Sequence, residues 1–268
     1  MYDEKLESET TPEFSSEAER RAALKFFNAA FRAEESGLRQ AHELSDEVKA
    51  WDPELAEVLR LYGNEEGWHR ELLTGFLTRL GGGVQPMGRV TRLFYRAYAR
   101  AKRMETIVLT NLMFETIGST TYRLALRNVR EPHARQMLTI LTRDESFHVP
   151  LNVHFLRRVL ERTDTKRRRR LRFIHRLLFV SLVALPLASR PKARAFDGLS
   201  TLTLSRAYAR ELARLFADEP ELEFRAPALL LALLGIRSSD LEQAGPSVIS
   251  VEAAEQAIDR DRVIVEEL

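Results

Sequence analysis

The sequence predicts an all-α protein, a four-helix bundle with additional helices after it. Three observations carry this: apolar residues recur at three-and-four spacing almost throughout, Gly and Pro are sparse at 12 and 10 in 268 residues, and the strong turn signals lie far apart. With 44% hydrophobic and 30% charged residues and a net charge of +2, the chain reads as globular, not disordered or fibrous.

The elements follow in order. Residues 1–15 are acidic and polar and read as a loose, disordered tail. A first helix is expected from about 16 to 48, after which Asp52 supplies an N-cap and Pro53 a first-turn proline for the second. Gly81, Gly82 and Gly83 end that second helix. A third begins between Arg89 and Ala101 and continues to about Val129; Glu131 with Pro132 opens a fourth that reaches about Arg162. Residues 16–162 are thus the bundle. Pro186, Pro191 and the stretch 197–200 are expected to break residues 163–236 into shorter helices packing on the bundle, the clearest being 202–217 and 226–235. Residues 237–268 read as a C-terminal tail.

The start of the chain has no basic region followed by an apolar run, so no export signal is expected, and the apolar stretch 177–188 falls short of the roughly 20 residues needed to span a bilayer. Zero cysteines exclude a disulfide framework, thiolate-held zinc and cysteine-held iron–sulfur clusters. A cytoplasmic location is expected, and any metal must be held by oxygen and nitrogen.

Two motifs point to such a metal. Glu66 and His69, and Glu145 and His148, are each three residues apart, which puts both side chains on one helix face. In helix two, Leu55, Leu59, Tyr62, Glu66, His69, Leu73, Phe76 and Leu80 form one stripe, apolar except at the motif; in helix four, Leu138, Leu141, Glu145, His148, Asn152, Phe155 and Val159 do the same. Charged groups on a core-facing stripe are costly unless paired or metal-bound. Helix three adds Glu115, on a face with Val108, Leu112, Ser119 and Tyr122. In helix one two acids compete: Leu24, Phe27, Phe31, Leu38 and Ala41 are slightly better centred on Glu34, whereas Phe31, Glu35, Leu38 and His42 form an equally legal face. Periodicity alone leaves both open.

The order Glu, Glu-x-x-His, Glu, Glu-x-x-His resembles the ferritin-like dinuclear (di-iron) carboxylate proteins over roughly residues 16–162. The layout is similar to that of the aldehyde-deformylating oxygenases and related di-iron oxygenases, including a Tyr seven residues after the third-helix Glu, here Tyr122, and an Asp-Glu-x-x-His fourth motif. The resemblance implies six metal ligands, Glu35, Glu66, His69, Glu115, Glu145 and His148. Glu35 is taken over Glu34 because a small polar residue, Ser36, follows it. Glu66 and Glu145 would bridge or chelate, His69 and His148 would each cap one ion, and Glu35 and Glu115 would be terminal. Asp144 resembles an acid that orients an opposing histidine. Two iron ions are implied, with Fe/Mn or Mn/Mn as variants, and O2 as co-substrate.

Other residues receive plainer readings. Tyr62 and Tyr122 point toward the metal face and read as core tyrosines with a hydroxyl partner, one-electron chemistry being the sharper alternative. His42 and His154 read as structural or exposed, and His133 and His175 as surface. The basic run from Lys166 to Arg170, with Arg172 and Arg176, reads as a solvated helix start that could instead meet tRNA or an acidic carrier protein. The passage 171–188 could form a lid or an interfacial patch for lipid-like molecules.

The expected function is O2-dependent oxidation of a small or lipid-like organic substrate by a di-iron oxygenase or oxidase, served by an electron-donor protein or reductant, in a monomer or small homo-oligomer. The alternative is ferritin-like iron oxidation and storage without an organic substrate.

Overall fold

The computed structural model describes residues 11–88, 92, 101–188, 199–237, 239 and 241. Among them stand seven α-helices and no strand: α1 (Glu17–Val48), α2 (Pro53–Arg79), α3 (Met104–Asn128), α4 (Pro132–Glu161), α5 (Thr165–Ala188), α6 (Thr201–Asp218) and α7 (Ala228–Leu233), with a 3-10 turn at Pro220–Leu222. Most of both expected tails, and most of the range in which the third helix was expected to begin, lie outside the described residues.

The helix starts are capped where the sequence says. Ser16 accepts from the Glu19 amide at 3.2 Å, Asp52 from Leu55 at 3.1 Å and Glu131 from Ala134 at 2.6 Å. Each such cap satisfies an amide the helix leaves open and is worth about 1 kcal/mol. At the end of α2, Gly81 (φ +74) and Gly83 (φ +54) take left-handed conformations that a side chain would strain.

Pro186, expected to break its helix, lies inside α5, and Pro150 lies inside α4. A helical proline forfeits one amide hydrogen bond and crowds the carbonyl four residues earlier. Pro186 does so in the last turn, where little helix remains to distort.

Two apolar clusters fix the direction of each bundle helix. One holds Phe27 and Phe31 of α1, Leu73 and Phe76 of α2, Tyr122 and Ala125 of α3, and Leu138 and Leu141 of α4. The other holds Ala41 and Leu44 of α1, Leu55 and Leu59 of α2, Val108 and Leu112 of α3, and Phe155 and Val159 of α4. Helices α1 and α4 therefore run from the first cluster to the second, and α2 and α3 run back. The pairs α1/α2 and α3/α4 are antiparallel with short connections, whereas α2 and α3 are parallel, an order of helix directions that ferritin-like bundles share. The polar residues singled out by the sequence fall between the two apolar clusters, at mid-height on all four helices.

The second cluster continues into the C-terminal helices through Leu171, Phe179, Leu182, Tyr208, Leu212 and Phe216. Helices α5 and α6 pack on each other and on α3, and the Thr121 and Tyr208 hydroxyls meet at 2.6 Å across the α3/α6 junction. His175, read as a surface residue from its Arg neighbours, is a correction. It is fully buried on the inner face of α5, against the rings of Phe179, Phe216 and Phe224. The charged neighbours fall on other faces of the helix.

Candidate metal centre

Every residue of the helix-two and helix-four stripes is buried, the Glu-x-x-His pairs included. Each stripe is carried past mid-height by the apolar residues above and below it. Burial of the four charged groups is therefore imposed by the packing of their neighbours and must be compensated locally.

The structure brings Glu66, His69, Glu115, Glu145 and His148 together, with Glu34 as the sixth member. Besides Glu65, His69 and Asp144, two groups made from these six residues offer one ligand atom per residue within 4.8 Å of the others: Glu34, His69 and Glu145, and Glu66, Glu115 and His148. Each group joins one imidazole to two carboxylates and draws on three different helices. The two imidazole rings stand 6.0 Å apart.

Glu35 is the one member of the sequence-derived set that the structure places elsewhere. Its carboxylate points outward to Arg32 at 2.7 Å and its side chain is 43% exposed, whereas Glu34 is buried and 3.2 Å from His69 Nδ1. One residue along a helix is a 100° turn, so only one of the two adjacent acids can face the interior. Leu24, Phe27, Phe31 and Ala41 of the stripe centred on Glu34 are buried; Leu38, common to both faces, and His42, on the competing face, are only half-buried.

Both histidines present Nδ1 inward and Nε2 outward. His69 Nε2 meets Asp144 Oδ2 at 3.0 Å, and Arg143 donates to the other Asp144 oxygen at 2.7 Å. His148 Nε2 meets Glu65 Oε2 at 3.2 Å. Asp144 thus contacts the outer nitrogen of the opposing histidine, and Glu65 does the same for the other ring. Glu65 was missed by the sequence reading, although the signal was there: it precedes Glu66 as Asp144 precedes Glu145.

The tyrosine hydroxyls also end on the cluster. Tyr62 donates to Glu115 at 2.7 Å and Tyr122 to Glu34 at 2.7 Å. His42 instead meets Asn64 at 3.2 Å, and His154 is exposed.

The electrostatics are those of a closely shared set of protons. Burial and the neighbouring Glu34 charge push Glu66 well above the usual carboxylate range, and burial with the Glu115 charge does the same to Glu145. Burial would also raise Glu34, but hydrogen bonds from Glu66, His69 and Tyr122 overcome it and hold that carboxyl at about 2. Burial opposes the charged form of His69 as well, yet Asp144 and Glu34 raise it to about 9; Glu145 and Glu115 likewise raise His148 against its burial. Glu115 is lowered despite burial, chiefly by the neighbouring His148 imidazole.

These residues fit a pair of cations. Among the described residues Glu145 Oε2 and His148 Nδ1 are buried without a hydrogen-bond partner, although they lie 3.3 Å apart, and Nδ1 also has Glu66 at 3.5 Å and Glu115 at 3.6 Å. A donor atom surrounded by carboxylates yet bonded to none suits a central cation. Four ionised carboxylates and two neutral imidazoles carry four negative charges, which two divalent ions would balance, so the occupied site would be neutral where it is buried. The mixture of oxygen and imidazole donors without thiolate suits iron or manganese.

No protein-family model, curated protein or solved structure matches the chain, and the reading of the centre stands on this geometry.

Proposed function

We propose that the chain is a di-iron oxidoreductase of ferritin-like type, which uses O2 to oxidise an organic substrate. The observation that carries the metal reading is the pair of Glu2His groups, built from all four helices and neutral overall with two divalent ions. Glu34 and His69 would hold one ion and Glu115 and His148 the other, with Glu66 and Glu145 between them. A ferrous pair bound there supplies two electrons for dioxygen, and an external reductant restores them.

The chain's own residues do the rest. Asp144 and Glu65 fix the two ring orientations so that Nδ1 faces the centre. Tyr122 and Tyr62 hold the Glu34 and Glu115 carboxylates by one oxygen each, leaving the other free to bind. The apolar layers above and below exclude water and lower the local dielectric. Glu115 has the most exposed side chain of the six, at 14%, which makes its side of the cluster the approach for dioxygen and substrate.

The deciding experiment is metal content by mass spectrometry after anaerobic loading with ferrous iron, followed by oxygen uptake with a reductant and candidate substrates. About two irons per chain, lost in a Glu66→Ala, Glu145→Ala double variant, supports the centre. Uptake that ends at two irons, with oxygen consumption dependent on an organic substrate, supports the oxygenase over iron storage. Many irons per chain in a large assembly would support storage.

A further inference from the structure

Helix α5 carries seven Lys or Arg and no acidic residue in its 24 positions. Its partnered cations face inward or sideways: Arg168 and Arg172 reach Glu223, and Arg167 reaches Asp164. Lys166, Arg169, Arg170 and Arg176 are exposed and, among the described residues, form no ion pair.

These four cations share one face with the exposed apolar residues of the same helix. Phe173 is 70% exposed, Leu177 60%, Val180 46% and Leu187 49%, and Ala184 is exposed between them. At 100° per residue these positions form a single stripe roughly 120° wide and, at 1.5 Å per residue, roughly 30 Å long. The opposite face, with Leu171, His175, Phe179 and Leu182, is the one packed on the molecule. On the helices that follow, Leu202 at the start of α6 and Leu229 and Leu233 on α7 are also exposed, and α7 is tied to α6 through Arg206 and the Leu234 carbonyl at 2.9 Å. Seven of the eleven large exposed apolar side chains among the described residues thus lie on α5 to α7.

We propose that this face docks onto the surface of an anionic lipid bilayer, with α5 lying in the interfacial plane. Charge complementarity selects the occupant. The stripe offers unpaired cations at one end, apolar side chains along the rest and no acid, and an anionic leaflet supplies both counterparts, phosphates and acyl carbon, in one plane. Long cationic side chains can reach the phosphates while their stems stay with apolar surface. A second copy of the chain in two-fold contact would set this stripe against itself and give α5 no acid with which to pair. No helix among the described residues is long and apolar enough to cross a membrane, so the contact lies on the surface. The proposal is independent of the metal centre.

The test is flotation of the full chain with phosphatidylcholine vesicles and with vesicles that also contain phosphatidylglycerol. The expected result is flotation with the anionic vesicles only, weakened by salt. An Arg169→Gln, Arg170→Gln variant should partition about thirty-fold more weakly, as two fewer cations at an anionic leaflet imply. A Phe173→Ser, Leu177→Gln variant should lose flotation, while both variants keep wild-type helicity and metal content. Absence of wild-type flotation, equal flotation on both vesicle types, or undiminished flotation of either variant would overturn the proposal. So would a stable dimer that the Phe173, Leu177 variant dissolves and that does not float.

Discussion

Glu65 on α2 lies 3.2 Å from Nε2 of His148 on α4, and so repeats across the bundle the 3.0 Å contact of Asp144 on α4 with His69 on α2. Each Glu-x-x-His helix supplies the outer partner for the histidine of the other. The two contacts differ in burial: the Asp144 side chain is 8% exposed and anchored by Arg143, whereas that of Glu65 is 28% exposed. Removing such partners typically costs 10- to 100-fold in metal affinity. Asp144→Asn should fall toward the upper end of that range and Glu65→Gln toward the lower, measured by chelator competition. Equal affinity in wild type and both variants would show that the rings are oriented without these acids.

The first-helix acids make a second test. Glu34→Gln should abolish full metal occupancy, because that carboxylate faces His69 and receives the Tyr122 hydroxyl. Glu35→Gln should retain about two ions per chain and change stability by less than about 1 kcal/mol, the worth of an exposed pair such as that with Arg32. Metal analysis of the two purified variants, side by side, decides between them.

That pair also marks how far the sequence is legible. The stripes of helices two and four are readable because their apolar residues are large and regularly spaced, so the phase of Glu66, His69, Glu145 and His148 follows from their neighbours. Helix one is Ala- and Glu-rich around its acids, and Phe31 and Leu38 fall on both candidate faces, so these neighbours do not separate Glu34 from Glu35. Packing of α1 on α2 breaks the tie: on Gly37 a Cβ would lie 2.9 Å from the Glu66 carboxyl, which shows how closely that face approaches the centre. His175 was misread for a different reason, since local charge says nothing about a helix that buries one face and exposes its cations on another.

Gly37 yields a prediction of its own. A methyl group there would meet Glu66 Cδ and Oε1 at 2.9 Å, too close for van der Waals contact, so the end of that buried side chain must shift. Gly37→Ala should displace the Glu66 carboxylate and reduce metal stoichiometry, while the metal-free fold loses little, because the end of a flexible side chain yields and Ala favours the helix over Gly by about 1 kcal/mol. Denaturation of the metal-free protein isolates the packing cost, and iron analysis of the loaded protein isolates the loss of a ligand.

Metal uptake should release protons. Glu66 and Glu145 are pushed above the usual carboxylate range, and His69 and His148 above the usual imidazole range, so four groups hold protons that two cations would displace. Titration of metal-free protein with a divalent ion in weak buffer, followed with an indicator dye, should show release of up to these four per chain near neutral pH. Release should decline as pH rises through about 9, where His69 has already lost its proton. A stoichiometry unchanged across that interval would contradict the assignment of His69 as protonated.

His175 supplies a pH dependence separate from the metal. Burial among aromatic rings disfavours its charged form, the neighbouring Arg176 disfavours it further, and Nε2 has no hydrogen-bond partner among the described residues, so its pKa falls from 6.5 to about 4. Above pH 6.5 the ring is neutral whether the chain is folded or not, and it contributes no pH dependence. Between 6.5 and 4 the unfolded chain takes up a proton that the folded chain refuses, so stability declines as the pH is lowered, by at most about 1.4 kcal/mol per pH unit and on the order of 3 kcal/mol in all. Urea denaturation across this window should show that decline in wild type and a shallower one in His175→Phe, which keeps a ring in the same aromatic site. A difference between the two proteins that stays constant with pH would mean that the residue acts through packing alone.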